Sequence, residues 1–350
     1  MRRKVGTILV ALGAFLLVFA PLLKLYVAPR VVIAPTDFFQ MTELRGTNAS
    51  YFDGAKLKNI TGASIVAVNT VRGDPVASTT DTAVWDYFVS IKDPDRDYAI
   101  ANQTSRYALN RHTGELINCC GASVEQDTSV RLAGLGVIWP IGRVERKTYP
   151  YFDPQTKRAW PMKYQGQDRI QGTTAYRFEQ TIPETKVATV GAVPGALLGL
   201  DKFKNYKVDG FYTATVTIWV DPRTGIPIAQ KQSIHATNRT KDGAGMFVAA
   251  KTDLKTTEKS EKDLVKLSDG YAWKFAAVNQ WLPVGTLVLG LFLLAIGVLL
   301  PLFESSGGRD ERPRSHAKGG PGQTPRPEPQ AELGLPVPDR PGSDRYSSRS

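Results

Sequence analysis

Histidine and cysteine are scarce, at three and two residues in 350. His112, His235 and His316 stand far apart and lack the i, i+4 pairing that a helix offers a metal ion. Cys119 and Cys120 are adjacent, so they form neither a Cys-x-x-Cys redox pair nor half of a zinc site. A Gly-x-Ser-x-Gly nucleophile turn, a phosphate-binding loop and a dinucleotide fingerprint are all missing. Paired carboxylates need only be brought together by the fold, but nothing nominates a pair. The expectation is a non-enzymatic protein with no cofactor and no metal. The formal charge of +11 comes without an aromatic-interleaved basic helix, so nucleic acid is not expected as a partner.

Charge is absent from two long stretches. One runs from Val5 to Leu23 (VGTILVALGAFLLVFAPLL) and the other from Trp281 to Phe303 (WLPVGTLVLGLFLLAIGVLLPLF). At about 1.5 Å per helical residue, each reaches across a hydrocarbon core of roughly 30 Å. No comparable run lies between them. The chain therefore divides into a cytoplasmic N-terminus (1–4), a transmembrane helix (5–27), an extracytoplasmic domain (28–280), a second transmembrane helix (281–303) and a cytoplasmic tail (304–350). The tail is rich in Pro, Gly and Arg and poor in apolar residues, so it is expected to be disordered.

Orientation follows from basic flanks. Arg2, Arg3 and Lys4 precede the first run, and Arg309, Arg312, Arg314 and Lys318 follow the second. Short basic segments stay in the cytoplasm, which places both termini inside, although Lys24 and Arg30 on the other side weaken the asymmetry. A cleaved signal peptide is the competing reading. Its best cut, after Ala20, is followed by Pro21, which opposes cleavage. In the oxidising compartment this topology implies, Cys119 and Cys120 are expected to bond to each other in a tight turn. Intermolecular bridges and free thiols are the other possibilities.

The middle of the chain reads as β-strand. Ser64 to Val71 is β-branched, Trp85 to Ile91 alternates apolar and polar residues, and Phe211–Val220 and Ile226–Ile234 flank the turn Asp221-Pro222-Arg223-Thr224-Gly225. Asn110-Arg111-His112-Thr113-Gly114 repeats that turn, and Asp153 to Lys157 is a weaker copy. Thr257 to Asp269 suggests a short helix ahead of the second span. Charged residues interrupt the strands on what reads as both faces. The fold class is mainly β, an antiparallel curved sheet or half-barrel flanked by two transmembrane helices.

Two apolar stretches within the domain, Leu132–Gly142 and Val187–Leu200, are too short to span a membrane and too rich in Gly and Pro for a core helix. One reading makes them core loops or buried strands. The other makes them the lining for a lipid-sized ligand, with Ile138, Trp139, Leu197, Leu198 and, from the hairpin, Trp219 as the contact residues.

The basic N-terminal anchor, Val137-Ile138-Trp139-Pro140, Glu145-Arg146-Lys147-Thr148-Tyr149, Tyr151-Phe152-Asp153 and the closing anchor resemble the actinobacterial PorA-type porin family over about residues 1–303. That resemblance implies a channel-forming envelope protein. Tyr164-x-Gly166, Tyr176-x-Phe178 and Trp219 to Pro227 are similar to the lipoprotein-carrier half-barrel, which implies a concave sheet that holds acyl chains. Class B scavenger receptors are similar in architecture alone, with two anchors and a β-rich outer domain that holds a lipid tunnel. Two helices cannot enclose a wide aqueous pore, so the expected function is binding or transfer of membrane or cell-envelope lipid. Channel formation is the alternative, a structural or adhesive role is a third, and an oligomer is possible.

Overall fold

The computed structural model describes residues 2–305, so the tail expected to be disordered lies, beyond Ser305, outside the described residues. Helix α1 (Arg2–Leu22) passes through a π turn (Leu23–Val27) into the single turn α2 (Ala28–Val31). Twelve strands follow: β1 (Phe39–Asp53), β2 (Lys58–Gly73), β3 (Thr82–Asp93), β4 (Tyr98–Asn110), β5 (Leu116–Ile117), β6 (Ser123–Val124), β7 (Tyr149–Asp153), β8 (Arg158–Ile170), β9 (Thr173–Pro194), β10 (Asn205–Val220), β11 (Pro227–Thr240) and β12 (Met246–Thr256). Helix α3 (Glu258–Ala276), a second π turn (Ala277–Trp281) and α4 (Leu282–Ser305) complete the described chain.

The strands form one antiparallel sheet in the order β5-β4-β3-β2-β1-β12-β11-β10-β9-β8-β7, with β6 against β4. It curls into a half-barrel. From β1 to β5 and from β7 to β12, neighbours in sequence are neighbours in space, and the two runs join at the centre, where β1 meets β12. That pairing brings the two helical ends of the domain together. Short Asx turns close several of the hairpins, and one side-chain oxygen accepts backbone N–H groups in each. Asp53 Oδ1 takes Ala55 N and Lys56 N, both at 3.0 Å, and Asn110 Oδ1 takes His112 N at 2.9 Å and Thr113 N at 3.0 Å. Asp153 takes Thr156 N at 2.7 Å, and Asp221 takes Arg223 N at 2.9 Å.

The segment around Leu135 joins the two edges of the curled sheet. Leu135 bridges Glu115 beside β5 on one side and Tyr151 on β7 on the other. Its N–H donates to Pro150 O at 2.8 Å, and its carbonyl accepts from Phe152 N at 2.7 Å. One part of the half-barrel is thereby closed into a ring. Gly114 and Gly225, both at positive φ, end the two Asx-x-x-Thr-Gly turns and abut the carbonyls of Ile138 and Trp139. A side chain at either glycine would collide with that backbone. The stretch Leu132–Gly142 is thus a core loop with a structural task.

The helix over Thr257 to Asp269 is not short. Thr257 caps it by accepting Ser260 N at 3.3 Å, and the helix then continues without a break through the second apolar run. The stretch Glu258–Leu300 alone contains 43 residues, about 65 Å of helix. The helix runs through Gly270 and Pro283, and the π turn lies where the composition changes from amphipathic to apolar. The two π turns pack against each other.

Lys4–Val31 and Glu258–Leu300 are long and apolar enough to cross a membrane. They run antiparallel with a seam of small residues: Gly6, Gly13 and Ala20 on one helix, and Pro283, Gly290 and Gly297 on the other, all buried. Each set recurs every seven residues, the repeat that keeps one face of a helix on a left-handed partner. Gly13 faces Gly290, and Gly6 faces Gly297. A Cβ built on Gly13 would lie 2.7 Å from Gly290 O, so the backbones pack at a separation that only glycine permits. Ile8, Phe15, Val18, Val288 and Phe292 point outward, exposed.

Candidate ligand cavity

Strand alternation sorts the domain's side chains by chemistry. On β12, Ala250, Thr252 and Leu254 face inward while Lys251, Asp253 and Lys255 face outward. On β11, Gln230, Gln232 and Ile234 face inward while Lys231 faces outward. The charged residues that seemed to interrupt both faces are therefore concentrated on the outside. The inward positions leave a cavity of about 270 Å³, with an adjoining one of about 110 Å³ that shares Asn69, Tyr87, Gly136, Tyr151 and Gln230. Phe38, Ile226 and Leu264 of α3 line the smaller one.

Apart from Asp153, the walls are apolar or uncharged polar. Ile65, Ile91, Ile234 and Leu254 supply the apolar part, and Gln103, Gln230, Gln232 and Thr252 supply the polar part. Thr252 Oγ1 is buried and has no hydrogen-bond partner among the described residues, and the same is true of Trp139 Nε1. Gln180 is committed, donating to Tyr151 O at 2.7 Å and Trp160 O at 3.1 Å. Tyr87, Tyr107, Tyr151 and Tyr212 also line the space. Burial pushes the Tyr107 phenol up to about 12 and raises the Tyr87, Tyr151 and Tyr212 phenols further, so all four are neutral donors at physiological pH. Tyr151 Oη donates to Gly136 O at 2.6 Å.

Asp153 is the one charged residue lining either space. It is 7 % exposed, and burial lifts its carboxyl above the ordinary range against the opposing hydrogen bonds from Thr156. The other buried aspartates of the hairpin turns each hold a cation. Asp53 pairs with Lys56 at 3.4 Å, Asp93 with Arg96 at 2.8 Å, and Asp221 with Arg223 at 2.6 Å. Asp153 has no such pair among the described residues.

The five residues nominated from sequence fall in three places, and none lines the cavity. Ile138 belongs to the core beneath the closing loop, where Trp219 packs on its edge. Trp219 Nε1 donates to Asp168 Oδ2 at 2.7 Å. Trp139 is fully buried, stacked on Tyr151 with ring centroids 5.1 Å apart. Leu197 and Leu198 close a separate small core with Val208 and Phe247. Apolar runs are where a sequence announces burial, and here that burial is packing. The cavity residues lie instead at alternate positions of ordinary strands, where Gln and Thr mimic a solvent face. Cys119 and Cys120 are bonded to each other in the structure, away from the cavity. Among the described residues, no group of three or more His, Cys, Asp or Glu is placed to hold a metal.

A β half-barrel whose interior carries a single charged residue, mounted on two membrane-length helices, defines a class of helix-anchored β-proteins with an internal cavity. The chain belongs to the Porin PorA family, whose sequence profile matches residues 5–299. A protein named Porin PorA from Corynebacterium resistens (strain DSM 45100 / JCM 12819 / GTC 2026 / SICGH 158) is 21% identical, over 67% of this chain and 77% of its own length. Another of that name, from Corynebacterium amycolatum, is 21% identical over 65% of this chain and 75% of its own length. The family resemblance read from the Trp139 and Tyr151 region is therefore correct.

Proposed function

We propose that the chain is a porin-like, non-enzymatic protein of the cell envelope, held in the membrane by a two-helix hairpin. Family membership over residues 5–299, shared with relatives named as porins, carries this reading. The antiparallel glycine seam supports the hairpin, because it returns both helices to the same side. Arg2, Arg3 and Lys4 favour the cytoplasm for that side and the opposite side for the half-barrel. A transmembrane barrel presents an apolar band to lipid, and this barrel's outward positions carry Lys231, Lys251 and Lys255. A conducting form is therefore an assembly of several copies whose helices surround the path, with the half-barrels standing above it. The test is single-channel recording from the purified full-length protein in planar bilayers, alongside cross-linking to count copies. Discrete conductance steps that vanish when the seam is broken support the reading. A monomer that never conducts overturns it.

A second reading rests on the cavity. Apolar walls with scattered neutral polar groups suit a guest with an apolar body and a polar end, so the half-barrel receives an envelope-derived amphiphile. Mass spectrometry of organic extracts of the purified full chain tests it, and an extract no different from a detergent blank rejects it.

A further inference from the structure

We infer that the half-barrel cavity is a site for an organic cation, an amine or quaternary ammonium carried on an apolar body, with Asp153 as its counter-ion. This rests on the second reading above, that the interior takes a guest, and it names the chemistry of the guest.

The inference comes from the distribution of charge. The chain is strongly basic, at +11, yet no lysine or arginine lines either interior space. Asp153 does, alone and 7 % exposed. A buried carboxylate without a counter-charge is costly, and proteins that keep one ordinarily pair it, coordinate it or use it. The comparison within this fold is direct. Asp53, Asp93 and Asp221 do the same turn-capping work, each with a Lys or Arg against the carboxylate. Capping alone does not require a carboxylate either, since Asn110 caps the β4–β5 turn through its amide oxygen. The negative charge at position 153 is surplus to the turn, and it borders the cavity.

Its surroundings fit a cation rather than a metal. Tyr107, Tyr151 and Tyr212 border the same space and lie within electrostatic reach of Asp153. Aromatic faces beside a single carboxylate stabilise a diffuse organic cation through cation–π attraction and one ion pair. A small hard ion needs six or more oxygens, which the Leu44, Ile65 and Ile91 walls do not supply. The same charge repels anionic amphiphiles such as fatty acids and acidic phospholipids.

The probes are choline and its neutral carbon isostere neohexanol, titrated calorimetrically into the full chain in nanodiscs of uncharged galactolipid. Choline is expected to bind at least tenfold more tightly than neohexanol, and Asp153→Asn to abolish that preference while neohexanol binding stays unchanged. The Asn variant keeps the turn, as Asn110 does, and retained neohexanol binding shows that the cavity is intact. Equal affinity for the two probes, or a preference that survives Asp153→Asn, overturns the cation assignment and leaves the guest reading standing. If neither probe binds, both fall together, while channel conductance is read separately.

Discussion

The Ser268 hydroxyl donates to Asp221 Oδ2 at 2.7 Å, and neither residue has any exposed surface. This bond joins the β10–β11 turn to the helix that becomes the second membrane-length segment. Thr224 and Ser268 share a hydrogen bond of 2.6 Å beside it, and Arg223 spans Asp221 and Asp269 at 2.6 Å each. Domain and anchor are thus linked through the buried Asp221, Thr224 and Ser268, with Arg223 and Asp269 covering them at the surface. Asp221→Ala should cost about 1–3 kcal/mol, because it removes the carboxylate that caps the turn and accepts the buried Ser268 hydroxyl, while the half-exposed Arg223 keeps Asp269 and water. Denaturant unfolding followed by tryptophan fluorescence checks this. A loss below about 1 kcal/mol would show that the clamp is dispensable.

Gly290→Leu is expected to force the hairpin apart. The new side chain would enter the space held by Gly13 O and the Leu16 and Leu17 side chains. Overpacking of this kind costs about 1–3 kcal/mol. Leu289→Phe, one residue away and exposed, is the control. Thermal aggregation of the two variants in detergent should differ, with only the glycine variant melting early. Equal melting points would refute the seam.

Cys119 and Cys120 enclose so short a loop that their bond constrains the unfolded chain little. The double change to Ser should lower stability by only about 1 kcal/mol and leave the protein monomeric under non-reducing electrophoresis. A covalent dimer present in the wild type and lost in the variant would show that the cysteines pair between chains.

The sequence announced the elements whose signals are local. Alternation marked Trp85–Ile91 and Phe211–Val220 as strands, and Asp221 to Gly225 as a tight turn, because period-two patterning and turn chemistry act over a few residues. Closure of the sheet through Leu135 was not legible, since it depends on edges separated by the whole half-barrel. The cavity was hidden for another reason. Its Gln230, Gln232 and Thr252 alternate with Lys231, Ser233, Lys251 and Asp253, so both faces of those strands read as polar. Asp153 looked like a turn residue and nothing more, because the missing counter-charge is visible only in three dimensions.

Stability should depend on pH through Asp153 in a definite direction. Its folded carboxyl is raised, by burial first, above the unfolded value of about 3.9. A raised group contributes stability that is fully present below the unfolded value and is lost as pH rises through the folded one. The depressed Asp53 and Asp93 act in the opposite sense, but they are common to wild type and variant and cancel in the comparison. The advantage of wild type over Asp153→Asn should therefore shrink as pH climbs from about 4 toward neutrality. Unfolding curves at a series of pH values measure it, and a difference that is flat or grows with pH contradicts the buried, unpaired state of this carboxylate.

Adjacent residues on β12 separate the interior from the exterior. Ala250 lines the cavity, while Lys251 points away from it. Ala250→Trp would project an indole into a space of about 270 Å³ without adding charge, and the indole takes up most of the room a guest needs. Lys251→Trp places the same side chain on the outer face. If the interior receives a guest, the first variant should lose bound guest by mass spectrometry and the second should keep it, with similar circular dichroism for both. If the protein works only as a helix-lined channel, both should conduct like wild type in planar bilayers. Loss of conductance in Ala250→Trp alone would place the half-barrel in the conduction path and tie the two readings together. Guest retained equally by both variants would remove the cavity from the function.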